Sequence, residues 1–405
     1  MGLFGFCIIL LFLTACYAVT SIWLHIGVLR LKKGRAKGIA YASSSGSGIA
    51  KQDEGDAELP FVSILVAARN EEKNITKCLE SLVRQQYPYD KYEIVIINDR
   101  STDGTLTIIK EFQEKHKVVR YVSLHSNLSG LTGKQNALNE GLKLCTGEII
   151  LNTDADCVAE PLWIRRTVLR FTPEIDFAVG FSMTVDMGGS KSFFSNLQSL
   201  DMLFLMDAAA GAVGMGCPIS GLGTNLAYRK AVTNYIDYRK MGYTITEDAS
   251  IIQAVARNPS YGVGVIYDKD AAVSTSPEDS VKQFLFQRIR WILGGRVTRP
   301  WVQALLHLIF LFHLCLVVSL PLMFFARSLV FFALLSFLVK ISLDFARCYR
   351  VCREFGRADL LRSFALYELF MISYSIFAGL GSIFVKKVRW KGEVCARGTS
   401  SMNSV

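Results

Sequence analysis

The sequence predicts an α/β protein: a mostly parallel sheet with helical cover, flanked by membrane-spanning helices. Three observations carry that prediction. Short apolar runs alternate with amphipathic helical patterns from about residue 60 to residue 152. Long uncharged stretches lie near both ends of the chain. The mean hydropathy is +0.30 over 405 residues, although a soluble domain dilutes its core with charged surface. Lys and Arg total 45 against 35 Asp and Glu, a formal charge of +10. Those basic residues cluster beside apolar runs, which points to a lipid bilayer and not to nucleic acid.

Taken in order, residues 2–29 contain no Asp, Glu, Lys or Arg. About 20 apolar residues span a bilayer. Arg30, Lys32, Lys33, Arg35 and Lys37 follow at once, which places that flank in the cytoplasm. A cleaved signal peptide fits less well, because its charge precedes a shorter apolar run. Residues 31–59 read as a basic, then Gly/Ser-rich linker. Strands are expected at 61–66, 92–97, 118–124 and 148–152, and helices at 75–83, 105–116 and 135–145. Residues 60–298 are therefore assigned to a soluble domain and 299–390 to membrane segments, with a tail at 391–405. Three C-terminal segments are expected: 301–325, 328–339 ending at Lys340, and 369–385. Arg347, Arg350, Arg353 and Arg357 read as a basic loop that also holds Cys348 and Cys352. That loop and the basic tail with Lys386, Lys387, Arg389 and Lys391 both favour the cytoplasm. One C-terminal segment is then re-entrant or interfacial. The ten cysteines form no tight CxxC pair and read as free thiols.

Ligands of parallel sheets bind beyond the carboxyl ends of the strands. The first strand is followed by Arg69-Asn70-Glu71-Glu72, the second by Asn98-Asp99-Arg100, and the fourth by Asp154-Ala155-Asp156. Alternate residues of an extended stretch share a face, so Asp154 and Asp156 suit a hard divalent cation that also holds phosphate oxygens. Asp99 reads as an acceptor for a nucleotide base or sugar, and Asp103 as a helix cap. Lys134, at a helix start, reads either as a point charge for a diphosphate or as a solvated surface lysine. Thr246-Glu247-Asp248 reads either as an N-cap with acidic first-turn residues or as the seat of a general base. Gln287-Arg288-Ile289-Arg290-Trp291 precedes a membrane segment, so it is either an interfacial anchor or part of the site. No GxGxxG follows a strand, which disfavours a dinucleotide dehydrogenase.

In this order, Asp99, Asp154-Ala155-Asp156, Thr246-Glu247-Asp248 and Gln287-x-x-Arg290-Trp291, the motifs resemble those of the membrane-bound, inverting family 2 glycosyltransferases. Gly223-Thr224-Asn225-Leu226-Ala227-Tyr228-Arg229-Lys230 and Arg389-Trp390-Lys391-Gly392 add to the likeness. The resemblance implies a GT-A fold, a nucleotide-diphosphate sugar donor, most often of uridine, and Mg or Mn. It implies that Asn70, Glu72, Asp99, Lys134 and Asp154 bind the donor. It further implies that Asp156, with Asp154, holds the metal, and that Asp248 is the base beside Glu247. Gln287, Arg290 and Trp291 would close the site. The chain departs from the usual aspartate pair and glycine with Asn98-Asp99-Arg100. Three functions remain open at this point: transfer of one sugar to a membrane lipid at a bacterial inner membrane, processive polysaccharide synthesis, and a non-catalytic binding protein.

Overall fold

A computed structural model describes residues 2–33, 59–126, 131, 133–188, 192–236, 238–241, 246–325, 327–385, 387–390 and 393–396. The linker at 34–58 and Lys391-Gly392 of the tail motif lie outside the described residues.

Helix α1 (Leu3–Lys32) comes first. Then β1 (Val62–Ala68), α2 (Ile75–Val83), β2 (Tyr92–Asp99), α3 (Thr105–Lys115), β3 (Val119–Leu124), α4 (Gly133–Leu144) and β4 (Ile149–Asp154) alternate as the hydrophobic pattern predicts. They are followed by β5 (Cys157–Ala159), α5 (Trp163–Val168), β6 (Phe177–Gly180), β7 (Ser182–Thr184) and the long α6 (Phe193–Gly214). Next come β8 (Leu226–Arg229), the single turns α7 (Lys230–Thr233) and α8 (Tyr238–Met241), α9 (Glu247–Arg257), β9 (Val263–Ile266) and β10 (Val273–Thr275). Helix α10 (Val281–Gly294) leads to α11 (Pro300–Leu322), α12 (Arg327–Glu354) and α13 (Phe364–Phe384). A hairpin, β11 (Lys387–Trp390) with β12 (Glu393–Ala396), comes last.

Among the described residues the main sheet has the order β3-β2-β1-β4-β8-β6-β9. β1 pairs in parallel with β2 and β4, and β2 with β3. β8 runs antiparallel between β4 and β6. Both faces of β1 are covered: Ile64 and Val66 join one apolar cluster and Leu65 the other. Two-sided burial is what a parallel sheet requires of its strands. Helix α4 approaches closely at Gly141, where a Cβ would strike the Leu65 side chain. In the β1 register Ala68 faces Asn98 and Ala67 faces Asp154, so the loops after β1, β2 and β4 open on one edge.

The membrane segments differ from their expected bounds. Helices α1, α11, α12 and α13 are long and apolar enough to cross a membrane. The second C-terminal span does not end at Val339. Lys340 is fully buried and donates to Asp344 (2.8 Å) and Glu368 (2.5 Å), so the helix continues through it. The expected basic loop is instead the last turns of α12. Arg347 and Arg350 are bonded there to buried Asp207 of α6. Cys348 and Cys352 lie buried on the same helix as free thiols. The third span starts at Phe364 and so takes in Glu368. Helix α6 belongs to the α/β part of the sequence yet packs on α1, α12 and α13. Small residues allow this: a Cβ on Gly211 would strike the Leu24 carbonyl, and one on Gly214 the Gly27 carbonyl.

Candidate active site

The loops after β1 and β2 are tied to each other. Asn70 Oδ1 accepts from the Thr102 amide (2.8 Å), and the Asn70 amide donates to Ser101 Oγ (3.1 Å). Glu72 Oε2 accepts from the Gly104 amide (3.1 Å). Asp103 receives the Glu72 amide on one oxygen and the Thr105 amide, at the start of α3, on the other. Asn70 (φ 53°) and Arg100 (φ 55°) both hold left-handed backbone, which is costly for residues with a Cβ. Asn70 and Glu72, expected to touch the donor, thus shape the loop with their side chains. Asp99 is buried, with Arg100 Nε at 2.8 Å and Arg69 at 3.7 Å. Arg100, standing where the resemblance expects glycine, therefore clamps the carboxylate expected to meet the base.

A cleft at the same sheet edge is lined by Lys134, Leu138, Asn152, Thr153, Asp154, Gly223, Leu226, Glu247, Asp248 and Ile251. Gly133 takes φ 52° at the start of α4, immediately before Lys134. The Lys134 ammonium bridges Asp154 (2.6 Å) and Glu247 (2.9 Å). Burial opposes the lysine's charge, but the two carboxylates outweigh it and hold the ammonium well above its ordinary range. Asp248 Oδ2 accepts from the Gly223 amide (2.8 Å) and Oδ1 from the Ala249 amide (2.7 Å). Burial first, and the neighbouring Glu247 charge second, push the Asp248 carboxyl up to about 6, while Lys134 pulls it down. A carboxylate poised there is suited to accept a proton near neutral pH.

Other residues support this cluster. Thr224 Oγ1 bonds Ser182 (2.5 Å), while Asn225 accepts from Trp163 Nε1 (3.0 Å) and donates to the Phe181 and Ala271 carbonyls. The element starting at Gly223 is therefore a buttress that fixes one amide on Asp248. Sequence reasoning missed Tyr238, which is fully buried beside the acidic pair; burial and the charges of Glu247 and Asp248 raise its phenol. No spacing signal connects a tyrosine on a single turn to that pair.

Asp156 is partly exposed beyond β4, and its Oδ1 lies 3.5 Å from Cys157 Sγ. Among the described residues no three His, Cys, Asp or Glu side chains converge as a metal cage. A hard dication that keeps several waters needs only one or two carboxylates when phosphate oxygens complete its shell. Asp154 and Asp156 fit that donor set.

Gln287, Arg290 and Trp291 lie on α10. The end of that helix abuts the acidic pair, since a Cβ on Gly294 would strike Thr246, the residue before Glu247. Both amide atoms of Gln287 are engaged: Nε2 donates to Glu278 Oε1 (2.7 Å) and Oε1 accepts from Arg288 (2.5 Å). Trp291 carries the Arg288 guanidinium at 4.1 Å from its ring centroid. Burial raises the Glu278 carboxyl, and Arg290 and Arg288 act against that rise. The three motif residues thus sit beside the cleft and are not among its lining side chains.

A profile described as Glycosyl transferase family 2 matches residues 63–218. Another, Glycosyl transferase family group 2, matches residues 149–380, more than half of the chain. The chain belongs to the family 2 glycosyltransferases. Its fold is GT-A: the mannosyltransferase PcManGT from Pyrobaculum calidifontis, solved with GDP-Man and Mn2+, superposes with a TM-score of 0.54 at 18% identity. That match covers 94% of this chain and 99% of the other. Among curated relatives, a beta-monoglucosyldiacylglycerol synthase of Nostoc sp. is 36% identical over 168 residues, 40% of this chain and 35% of its own length. A poly-beta-1,6-N-acetyl-D-glucosamine synthase of Staphylococcus epidermidis is 27% identical over 243 residues, 58% of this chain and 54% of its own length. The chain thus matches about a third to about half of the length of these relatives.

Proposed function

We propose that this chain transfers a hexose from a nucleotide-diphosphate sugar, a UDP-sugar first among them, to a hydroxyl of a membrane lipid, with inversion at the anomeric carbon. The observation that carries this reading is the cluster of Asp154, Lys134, Glu247 and Asp248 at the carboxyl edge of the sheet. Asp248 is the general base. Its carboxylate takes the acceptor's hydroxyl proton as that oxygen forms a bond to the anomeric carbon and the bond to the diphosphate breaks. Lys134 is the cation nearest the site of the leaving charge. Asp154 and Asp156 would hold Mg2+ or Mn2+ together with the diphosphate, and the ion would supply charge neutralisation there. Glu247 holds Lys134 in place, while Asp99, Asn70 and Glu72 belong to the paired loops beside the base pocket. Arg290 meets the leaving diphosphate, and Gln287 and Trp291 form the acceptor side. Residues 60–298 act as the catalytic body and 299–390 as the membrane anchor. Arg30, Lys32 and Lys33 at the end of α1 support a cleft on the cytoplasmic side of a bacterial inner membrane.

The test is a partition assay. Membranes holding the protein are given labelled nucleotide sugars, Mg2+ or Mn2+ and a total lipid extract. One sugar per lipid in the organic phase is expected. Asp248→Asn should lower transfer by about 10³-fold and leave donor binding intact. A variant turning over near the wild-type rate sinks the assignment of the base. Label in long insoluble polymer favours the processive reading, which the likeness to the poly-N-acetylglucosamine synthase supports. Among the described residues four helices are long and apolar enough to cross a membrane, which is little wall for a polymer channel and favours the lipid reading.

A further inference from the structure

Helix α6 carries two fully buried aspartates, Asp201 and Asp207. Asp207 holds α12. Asp201 reaches the acceptor-side helix, and its carboxylate is saturated. Oδ2 accepts from Arg288 Nη2 (2.6 Å) and Nε (3.2 Å). Oδ1 accepts from Tyr374 (2.6 Å) and Tyr367 (3.2 Å) of α13. The Arg288 guanidinium lies over the rings of Phe284 and Trp291, at 4.2 Å and 4.1 Å from their centroids.

These contacts close into a ring. Arg288 Nη1 donates to Gln287 Oε1, and Gln287 Nε2 donates to Glu278 Oε1. Glu278 is in turn held through its backbone by Gln198, whose Oε1 accepts the Glu278 amide (2.8 Å) and whose Nε2 donates to the Glu278 carbonyl (3.0 Å). Gln198 and Asp201 are three residues apart on α6 and so share one face of it. That one face fixes Glu278, in the segment leading into α10, and Arg288, in the middle of that helix, and it ties both to α13.

We infer that Asp201 is a positioning residue for the acceptor: through Arg288 it sets the orientation of Trp291 and Gln287, and through Tyr367 and Tyr374 it keys them to the membrane helix α13. This rests on the proposed reading of α10 as the acceptor side of a lipid-directed transferase. A buried ion pair alone is weak evidence of stabilisation, since apolar replacements of both partners are often tolerated. Here the guanidinium also stacks on the indole that the reading assigns to the acceptor, so loss of the pair frees that ring while leaving the donor cleft untouched. Small misplacements of a reacting partner cost on the order of 10²-fold.

The experiment measures initial rates in native membranes with the labelled UDP-sugar and a total lipid extract, varying each substrate in turn. The variants are Asp201→Asn, Tyr374→Phe, Trp291→Ala, and the double variant Asp201→Leu with Arg288→Met. Asp201→Asn should lower kcat/KM for lipid by about 10²-fold, with donor KM and donor binding unchanged. Tyr374→Phe should show the same split at smaller size. The double variant removes both buried charges together and keeps the site apolar. It should melt like wild type yet retain the acceptor defect, so it decides the matter if Asp201→Asn does not fold. A double variant with wild-type kcat/KM for lipid overturns the inference, as does parallel loss of donor binding in any folded Asp201 variant. Trp291→Ala separates the two failures. If it transfers at the wild-type rate, the acceptor-side reading itself fails. If it is impaired while the double variant is not, only the role of Asp201 fails. Wild-type membranes that move no sugar sink the parent reading and this inference with it.

Discussion

Among the described residues, Lys134 and Lys340 each lie between two carboxylates, in very different surroundings. In the cleft, Lys134 bridges Asp154 at 2.6 Å and Glu247 at 2.9 Å, and these side chains keep 15%, 26% and 13% of their exposure. In the helical bundle, Lys340 bridges Asp344 at 2.8 Å and Glu368 at 2.5 Å, and all three are at 0%. The distances are alike. What differs is access to water. In the bundle, desolvation makes the pairing obligatory, because a lone charge among apolar helices is costly. Tyr17 of α1 adds a hydrogen bond to Asp344 at 2.6 Å, so three helices share one polar knot. In the cleft, the same triad borders solvent, and its members can exchange one partner for a ligand's charge.

The largest expected effect is in the bundle. Lys340→Met strands Asp344 and Glu368 and should lower stability by about 3–5 kcal/mol. Thermal melting in detergent measures this. Replacing Lys340, Asp344 and Glu368 together by apolar residues should recover most of the loss. A single variant that melts like wild type would show that the bundle is wet around Lys340 and that the contrast with the cleft is false.

Lys134→Met is the matching change in the cleft. Its carboxylates keep part of their exposure, so the loss of stability should be smaller, on the order of 1 kcal/mol. Function should suffer more: donor KM should rise roughly tenfold, equivalent to about 1.4 kcal/mol. Donor titration and melting of the same preparation give both numbers. A variant that melts far below wild type with unchanged donor KM would assign Lys134 to structure and remove it from the donor site.

This contrast also explains what the sequence could and could not disclose. The first four strands and three helices of the sheet were legible, because apolar periodicity changes with each element and acidic loops follow β1, β2 and β4. Asp154, Asp248 and Lys134 could be singled out, because each lies at an element end where ligands bind. The link between Lys134 and Glu247 was not legible, since no local pattern couples residues so far apart. Lys340 ended the predicted span for a related reason: Asp344 is an i+4 partner on its own helix, but the second carboxylate, Glu368, lies on the next helix, and burial of all three shows only once the helices pack. Helix α6 escaped notice because it is buried on every side and has no amphipathic stripe to count. Its two aspartates look like surface residues until Arg288, Arg347 and Arg350 are found around them.

The smallest effect is the most diagnostic, and it concerns pH. Asp248 can accept a proton only as a carboxylate, so kcat/KM should fall as pH drops through its value of about 6. Two opposed charges set that value beyond burial: Glu247 raises it and Lys134 lowers it. Removing the lysine's charge therefore leaves only the Gly223 and Ala249 amides to oppose the raising influences. In Lys134→Met the acid limb of the profile should move to higher pH, and in Glu247→Gln to lower pH. Lys340→Met, far from the base, should leave the limb where it is. Profiles of the three variants, each normalised to its own plateau, measure this directly. Equal shifts in the Lys134 and Lys340 variants would mean that the limb reports unfolding and not Asp248. No shift in either cleft variant would mean that another group is the base. Opposite shifts for Lys134 and Glu247 tie the proton to the residue that both of them flank, because no general loss of stability moves a limb in both directions.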